Sequence, residues 1–333
     1  MSGYGFPTLL QYSRLTTAAA DLKSRAEQAR TEMVTGRLAD MKSQLSSKIG
    51  DVHLLRKAID DVTARQDAAT RALGRTTASQ TALTLASDGV VTLGADLLSA
   101  VGQNNEPSID IAATKARLQL DAAFSAFNTR YEGRSLFAGD AADAPALGDA
   151  ETLLADVSAI FVGAADNAQL QTDLDFYFND PAGGFATTIY TGGTGNAART
   201  EIADGELVDY SAKADEQAVR DLLRHLATVV VADQQASFVD RDLALSTAAG
   251  GLIQADSDIV AIRSRIGAAE ERIAAADSRL EAEATAYSLT YNEHTARDPY
   301  EAASLLQQIE SQLQASYLVT SRISLLSLAN FLR

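Results

Sequence analysis

The chain has 333 residues, is 46% hydrophobic but only 6% aromatic, and contains no Cys and no Trp. That length suits two or three domains with buried cores, and the abundance of Ala, Leu, Arg, Gln and Glu leans toward helix. The lack of Cys excludes disulfides, thiolate nucleophiles and cysteine metal sites. A formal net charge of −16 is the opposite of a nucleic-acid-binding profile and disfavours anionic membrane surfaces. Most of that charge lies between Asp140 and Asp240, which hold 18 acidic and 4 basic residues and read as a solvated outer surface.

In chain order, Leu15, Ala18, Leu22, Ala26, Ala29 and Met33 recur at spacings of 3 and 4 and predict a first helix, broken at Gly36. A second periodic run carries Leu45, Ile49, Val52, Leu55, Ile59, Val62, Ala69 and Leu73. A third carries Leu83, Ala86, Val90, Leu93, Leu97 and Val101. Gln103 to Pro107 reads as a loop, and Ser108 as the cap of a fourth helix bearing Ile109, Ala112, Ala116, Leu120, Ala123, Phe127 and Tyr131. From about Gly139 to Asp240 the runs are short, with Asp180-Pro181 and Gly192-Gly193-Thr194-Gly195 as punctuation. Asp204-Gly205 between two short runs predicts a hairpin, and Asp215 to Val231 a helix. Ile259 to Tyr291 then keeps helical spacing for about nine turns, which needs partner helices along its length.

The last segment opens on Asp298-Pro299-Tyr300-Glu301, which combines an N-cap, a proline at the first helical position and an early acid. Between Ala303 and Arg333 the charges are Glu310, Arg322 and Arg333, among many Ser and Gln. The apolar residues spread round much of this helix, so one neighbour would not cover them. A core helix is the ordinary explanation. A membrane helix does not fit, because the polar face lacks Lys and Arg and is too rich in Ser and Gln to span. Packing against many copies in an assembly fits a face that is poor in charge. Met1 to Pro7 shows no basic region before an apolar run, and no stretch reaches about 18 uninterrupted apolar residues; taken alone, that reads as soluble and cytoplasmic.

No catalytic constellation emerges. His53, His225 and His294 are scattered and read as surface residues without a His-Glu-x-x-His pair. Gly193-x-Gly195-x-x-Ala198 fits a dinucleotide fingerprint only superficially and reads as a loop. Asp173 and Asp175 have no nucleophile or base nearby, and the spacing of a dedicated Ca²⁺ loop is absent. The expectation is a protein that is not an enzyme, with no cofactor and no metal.

Three segments carry a family resemblance. Arg297-Asp298-Pro299-Tyr300-Glu301-Ala302-Ala303, Gln314-Ala315-Ser316-Tyr317, Ser321-Arg322-Ile323-Ser324 and Leu326-Ser327-Leu328 together resemble the C-terminal helix of the flagellin superfamily. Met33-Val34-Thr35-Gly36-Arg37 is similar to that family's turn after its first helix, although Leu38-Ala39-Asp40-Met41 stands where an Asp-Asp-Pro loop is usual. Gly133-Arg134-Ser135-Leu136-Phe137-Ala138-Gly139, after Phe127-Asn128, resembles the branch that joins hook to filament.

The resemblance implies a mainly α fold: an elongated coiled-coil bundle of N- and C-terminal helices with a small inserted α+β domain. Its expected parts are 1–40 with 297–333 as an inner-tube coiled coil, 41–139 with 241–296 as a helical rod, and 140–240 as an acidic outer domain. It also implies a structural flagellar subunit, exported unfolded by the flagellar type III apparatus without a cleaved signal. The expected location is extracellular, in the flagellum. The expected partners are copies of itself in a tubular ring, other hook-associated protein and flagellin, and a cytoplasmic chaperone on the C-terminal helix, without nucleic acid or membrane insertion. The expected assembly interface comprises Leu15, Leu22, Met33, Leu305, Ile309, Leu313, Tyr317, Ile323, Leu326 and Phe331. A filament flagellin shares these features, and a helical type III secretion-associated binding protein is the other alternative.

Overall fold

The computed structural model describes the backbone of residues 9–45, 48–195 and 198–331, and the side chains of the same residues apart from 9–12 and 323–331. Among the described residues the chain is mainly α, with ten helices and two short antiparallel hairpins. It packs as two compact units, residues 1–63 with 282–333 and residues 64–281. The chain passes between them inside two long helices, α3 (Ile49–Ser87) and α9 (Arg241–Thr295).

In the first unit, α1 (Leu9–Thr35) ends where the sequence places its break. Gly36 adopts a left-handed φ of 63° and its N–H donates to the Glu32 carbonyl at 2.8 Å, which ends the helix at a residue that bears no Cβ penalty. Asp40 then caps the short α2 (Met41–Leu45), accepting from the Ser43 N–H at 3.1 Å. Hydrogen bonds from the Ser43 hydroxyl and amide hold the Asp40 carboxyl below its ordinary range. The last helix, α10 (Pro299–Phe331), starts as expected, with the Tyr300 N–H donating to Asp298 Oδ1 at 2.8 Å.

The second unit is built on α3, α4 (Val90–Gly102), α5 (Glu106–Phe127), α8 (Gln217–Gln234) and α9. The next break falls at Gly89, with φ of 74°, so the second apolar run from Ile49 onward and the start of the third share one helix, while Leu45 ends α2. The cap of α5 is also displaced from expectation. Asn105 accepts from the Ser108 N–H at 3.2 Å, so Ser108 is the capped residue and not the cap. The segment Ile49–Gly102 is long and apolar enough to cross a membrane by length and composition. Its apolar face goes into the core instead, with Leu83, Ala86, Val90, Leu93 and Leu97 all at most 4% exposed.

After α5, the hairpin of β1 (Arg130–Tyr131) and β2 (Arg134–Ser135) turns through Glu132 and Gly133, with φ of 50° and 77°. Positive φ at both central residues suits the twist of a two-residue hairpin. Tyr131 lies against Gly74 of α3, where any Cβ would strike its ring. Leu136, Phe137 and Ala138 follow into the core, and Phe137 meets Phe127 edge-to-face at 5.4 Å. Asn128 fixes the return of the chain, its side chain bonding both the N–H and the carbonyl of Leu147.

Within 140–240 lie α6 (Ala150–Gly163), α7 (Asn167–Asn179), a π-helical turn (Phe185–Ile189), the hairpin β3 (Arg199–Ala203) and β4 (Glu206–Asp209), and α8. The β3–β4 turn is at Gly205, φ 75°, as the Asp-Gly pair predicts. Residues 192–195 form a loop before β3, with no helix following. Leu222, Leu223 and Leu226 of α8 join Leu153 and Leu174 of α6 and α7, and Ile109 and Leu120 of α5, in one continuous core. The β3–β4 hairpin lays Ile202, Val208 and Tyr210 across Ala69 and Ala72 of α3 and Ala269 and Ile273 of α9. Helix α9 is longer than its periodic stretch suggests, 55 residues or roughly 80 Å. Arg241 anchors its start through Glu106 at 2.9 Å and Asp233 at 3.3 Å.

Of the three histidines, His53 keeps to the surface reading and His225 departs from it. His53 is exposed and His294 half-buried. His225 of α8 packs onto Gly251 of α9, where a Cβ would collide with the imidazole. Burial, assisted by the charge of Arg224, pushes its pKa down to about 4 from 6.5. The neutral ring is therefore favoured in the folded state. As pH falls from about 6.5 toward 4 the unfolded chain gains a proton that the folded chain does not, so stability present above that window is lost within it. Between pH 7 and pH 5 this costs about 2 kcal/mol. Urea midpoints of the wild type and of His225→Gln at these two pH values test it: the variant should lose distinctly less stability on acidification.

Candidate assembly interface

Helices α1 and α10 pair antiparallel within the first unit. On α1, residues 15, 19, 22, 26, 29 and 33 form the half-buried to buried stripe; on α10, residues 302, 306, 309, 313, 316 and 320 do the same. Both stripes alternate spacings of 3 and 4, the pattern of a coiled-coil seam. Ala29, Ala302 and Ile309 are its most buried members, at 1%, 0% and 5% exposure.

The pair is locked at the end where the helices meet the link from α9. The Leu38 N–H donates to the Thr295 carbonyl, and the Arg297 N–H to the Gly36 carbonyl, both at 2.9 Å. Arg37 reaches Asn292 at 3.3 Å. Glu32 is 2% exposed, an unusual place for a carboxylate, and it is saturated with partners. Its Oε1 accepts from the Ala39 N–H at 3.0 Å and from the Gln44 amide at 2.7 Å, while Oε2 faces Arg297 Nε at 3.6 Å. Arg297 also pairs with Glu301 at 3.5 Å. One carboxylate thus ties together α1, the turn, α2 and the start of α10. The Leu38-Ala39-Asp40-Met41 sequence fits this role because Ala39 supplies an N–H to Glu32 and Asp40 supplies the cap of α2.

The structure sorts the expected interface residues. Leu15, Leu22, Met33 and Leu313 are half-buried and Ile309 is buried, all on the two stripes of the seam. Leu305 and Tyr317 flank it and are exposed, 37% and 58%. The side chains of Ile323, Leu326 and Phe331 lie outside the described residues. Sequence reasoning did not separate intrachain seam from outward face. It also missed the exposed Tyr300, Leu318 and Val319 as a group; Leu318 and Tyr300 lie on the side of α10 away from the seam.

Elsewhere, Asp175 is engaged with Arg224 at 3.4 Å and with Asn179 at 2.7 Å, so it acts as a structural partner in the second unit. Among the described residues no group of three or more His, Cys, Asp or Glu is placed to hold a metal ion.

Residues 251–332 match the family described as the bacterial flagellin C-terminal helical region. In structure, the chain is similar to a protein from Vibrio parahaemolyticus described as a flagellar hook-associated protein. That likeness has 12% identity and a TM-score of 0.54, and covers 76% of this chain and 99% of that one. A FlgL from Bacillus cereus is similar at 15% identity and a TM-score of 0.42, over 75% of this chain and 99% of that one, too weak a likeness to carry argument. No curated protein matches the sequence.

Removing the buried carboxylate should uncouple the lock. Glu32→Ala leaves the Ala39 N–H and the Gln44 amide without their acceptor, and Arg297 with Glu301 alone. It should destabilise the first unit by about 2–4 kcal/mol, and Glu32→Gln, which retains an acceptor oxygen, by less. Limited proteolysis around residues 36–45, compared with cleavage in the 64–281 unit, reads the difference.

Proposed function

We propose that this chain, which carries a flagellin C-terminal helical region over 251–332 and the fold of a flagellar hook-associated protein, is a structural subunit of the bacterial flagellum that joins hook to filament. The observation that carries this reading is α10: a helix inside the matched region that pairs with α1 by one stripe and leaves Leu305, Tyr317, Leu318 and Val319 exposed. Apolar side chains on several sides of a charge-poor helix are what repeated packing between copies requires. The segment from Phe127 to Gly139, with its turn at Gly133 and its buried Leu136-Phe137-Ala138, favours the junction role within the family.

In this reading residues 1–40 with 297–333 line the tube, 41–139 with 241–296 form the wall, and the acidic 140–240 faces outward. The subunit leaves the cell unfolded through the flagellar type III apparatus, after a cytoplasmic chaperone has masked α10, and it works in the extracellular flagellum beside copies of itself, a second hook-associated protein and flagellin. It does so without catalysis. A filament flagellin is the second reading, because the same C-terminal helical region would serve it.

Deleting the gene separates the two. Bare hooks with unpolymerised flagellin in the medium are expected of a junction subunit. Loss of filament with no secreted flagellin would instead mark the filament subunit, and normal filaments would remove both. A point substitution tests the helix. Leu318→Asp places a charge on an exposed position, so circular dichroism of the isolated chain should be unchanged while incorporation into filament-bearing flagella falls at least tenfold. Normal incorporation would remove this face of α10 from the interface.

A further inference from the structure

Inside the strongly acidic second unit, a cavity of ≈ 450 Å³ gathers four guanidinium groups. Arg71 and Arg75 reach it from successive turns of α3, Arg134 from β2 and Arg199 from the first residue of β3. None of the four forms an ion pair among the described residues. Two other arginines that meet the β3–β4 hairpin are paired: Arg65 with Asp204 at 3.1 Å and Arg272 with Glu206 at 3.0 Å. The two carboxylates on the cavity wall are Glu132 and Asp140, and Asp140 already accepts from the Gly195 N–H at 3.0 Å. Arg75 is held in place by donating to the Ser135 carbonyl at 3.1 Å.

A second observation points to a ligand. Thr200 lines the same cavity, is only 6% exposed, and its hydroxyl has no hydrogen-bond partner. Buried hydroxyls are ordinarily bonded, and this one is left without a bond at the cavity wall. Tyr131 and Tyr210 supply aromatic wall. Burial raises the Tyr210 phenol above its ordinary range and the charges of Arg75, Arg134 and Arg71 oppose the rise, a mark of how closely they converge.

We infer that this cavity binds a small phosphate monoester, its oxyanion held by the arginines and the Thr200 hydroxyl. Guanidinium forks match phosphate oxygens two at a time, and the anion offsets the mutual repulsion of four cations that the two wall carboxylates only partly balance. The volume exceeds what a bare phosphate fills and falls in the range of small-molecule sites, with the tyrosines beside the organic part. The site is independent of the assembly face on α10 and stands whichever flagellar role the chain has.

The test is thermal unfolding and calorimetric titration of the full chain with glucose 6-phosphate, inorganic phosphate and glucose, at ionic strength matched with chloride. A midpoint rising with glucose 6-phosphate concentration, a smaller rise with phosphate and none with glucose are expected. Arg134→Met with Arg199→Met, both exposed and unpaired, should weaken the ester at least tenfold with the ligand-free midpoint unchanged. Thr200→Val should leave the ligand-free midpoint equal or higher while weakening the ester. Equal shifts from phosphate and its ester would reduce the site to a bare-anion site and overturn the monoester assignment. No shift from either, a shift kept by the double arginine variant, or a lowered ligand-free midpoint in Thr200→Val would overturn the site.

Discussion

A helix paired with one neighbour can hide one stripe, and the rest of α10 is governed by that limit. Its seam with α1 takes residues 302, 306, 309, 313, 316 and 320, while Leu305, Tyr317, Leu318 and Val319 remain open to solvent. Isolated helix pairs gain stability chiefly from the stripe they share. The lock at Glu32 therefore matters beyond its size. By fixing the turn at Gly36 to the α9–α10 link, it sets the register from which both stripes run, with Ala29 and Ile309 among their most buried members.

Most of the helical architecture was legible because apolar spacing survives in any context. The stripes at Leu15 to Met33, Ile49 to Leu73 and Ile259 to Tyr291 all lie in helices, and the stops at Gly36 and the start at Asp298 are local chemistry of the kind sequence displays directly. The errors are equally physical. Ser108 and Asn105 are both good caps, and only the position of Pro107 near the helix start and the Asn105–Ser108 bond decide between them. His225 looked like a surface residue because nothing local reveals that Gly251, on another helix, leaves room for its ring. The start of α9 at Arg241, well before Ile259, rests on Leu245 and Leu252 packing into a core that 140–240 helps to build.

The candidate sites divide along the same line. Five of the ten residues expected at an assembly interface lie on the seam between α1 and α10, and periodicity cannot tell a seam facing α1 from a face turned outward. Ile309 and Leu305 are four residues apart and differ in exposure from 5% to 37%. The arginine cavity was invisible. Arg71 and Arg75 share a helix face, yet Arg134 and Arg199 arrive through two hairpins, and in sequence all four are lost in a chain of net charge −16. Acidic surroundings make that convergence more telling, since arginines elsewhere at the same hairpin find Asp204 and Glu206.

The two stripes of the first unit change character along their length. Near the lock, the α10 side of the seam is Ala302, Leu306, Ile309 and Leu313; beyond that it becomes Ser316 and Thr320, and Thr320 spends its hydroxyl on the Ser316 carbonyl at 2.8 Å. Over the same turns the outward face gains Tyr317, Leu318 and Val319. Apolar burial per residue inside the pair therefore declines where apolar surface available to a neighbour rises. At about 25 cal/mol per Å² of apolar area removed from water, covering Tyr317, Leu318 and Val319 would gain more than the seam positions Ser316 and Thr320 do. The lock holds the two helices in register at one end, while over Tyr317 to Val319 the pair leaves apolar surface uncovered.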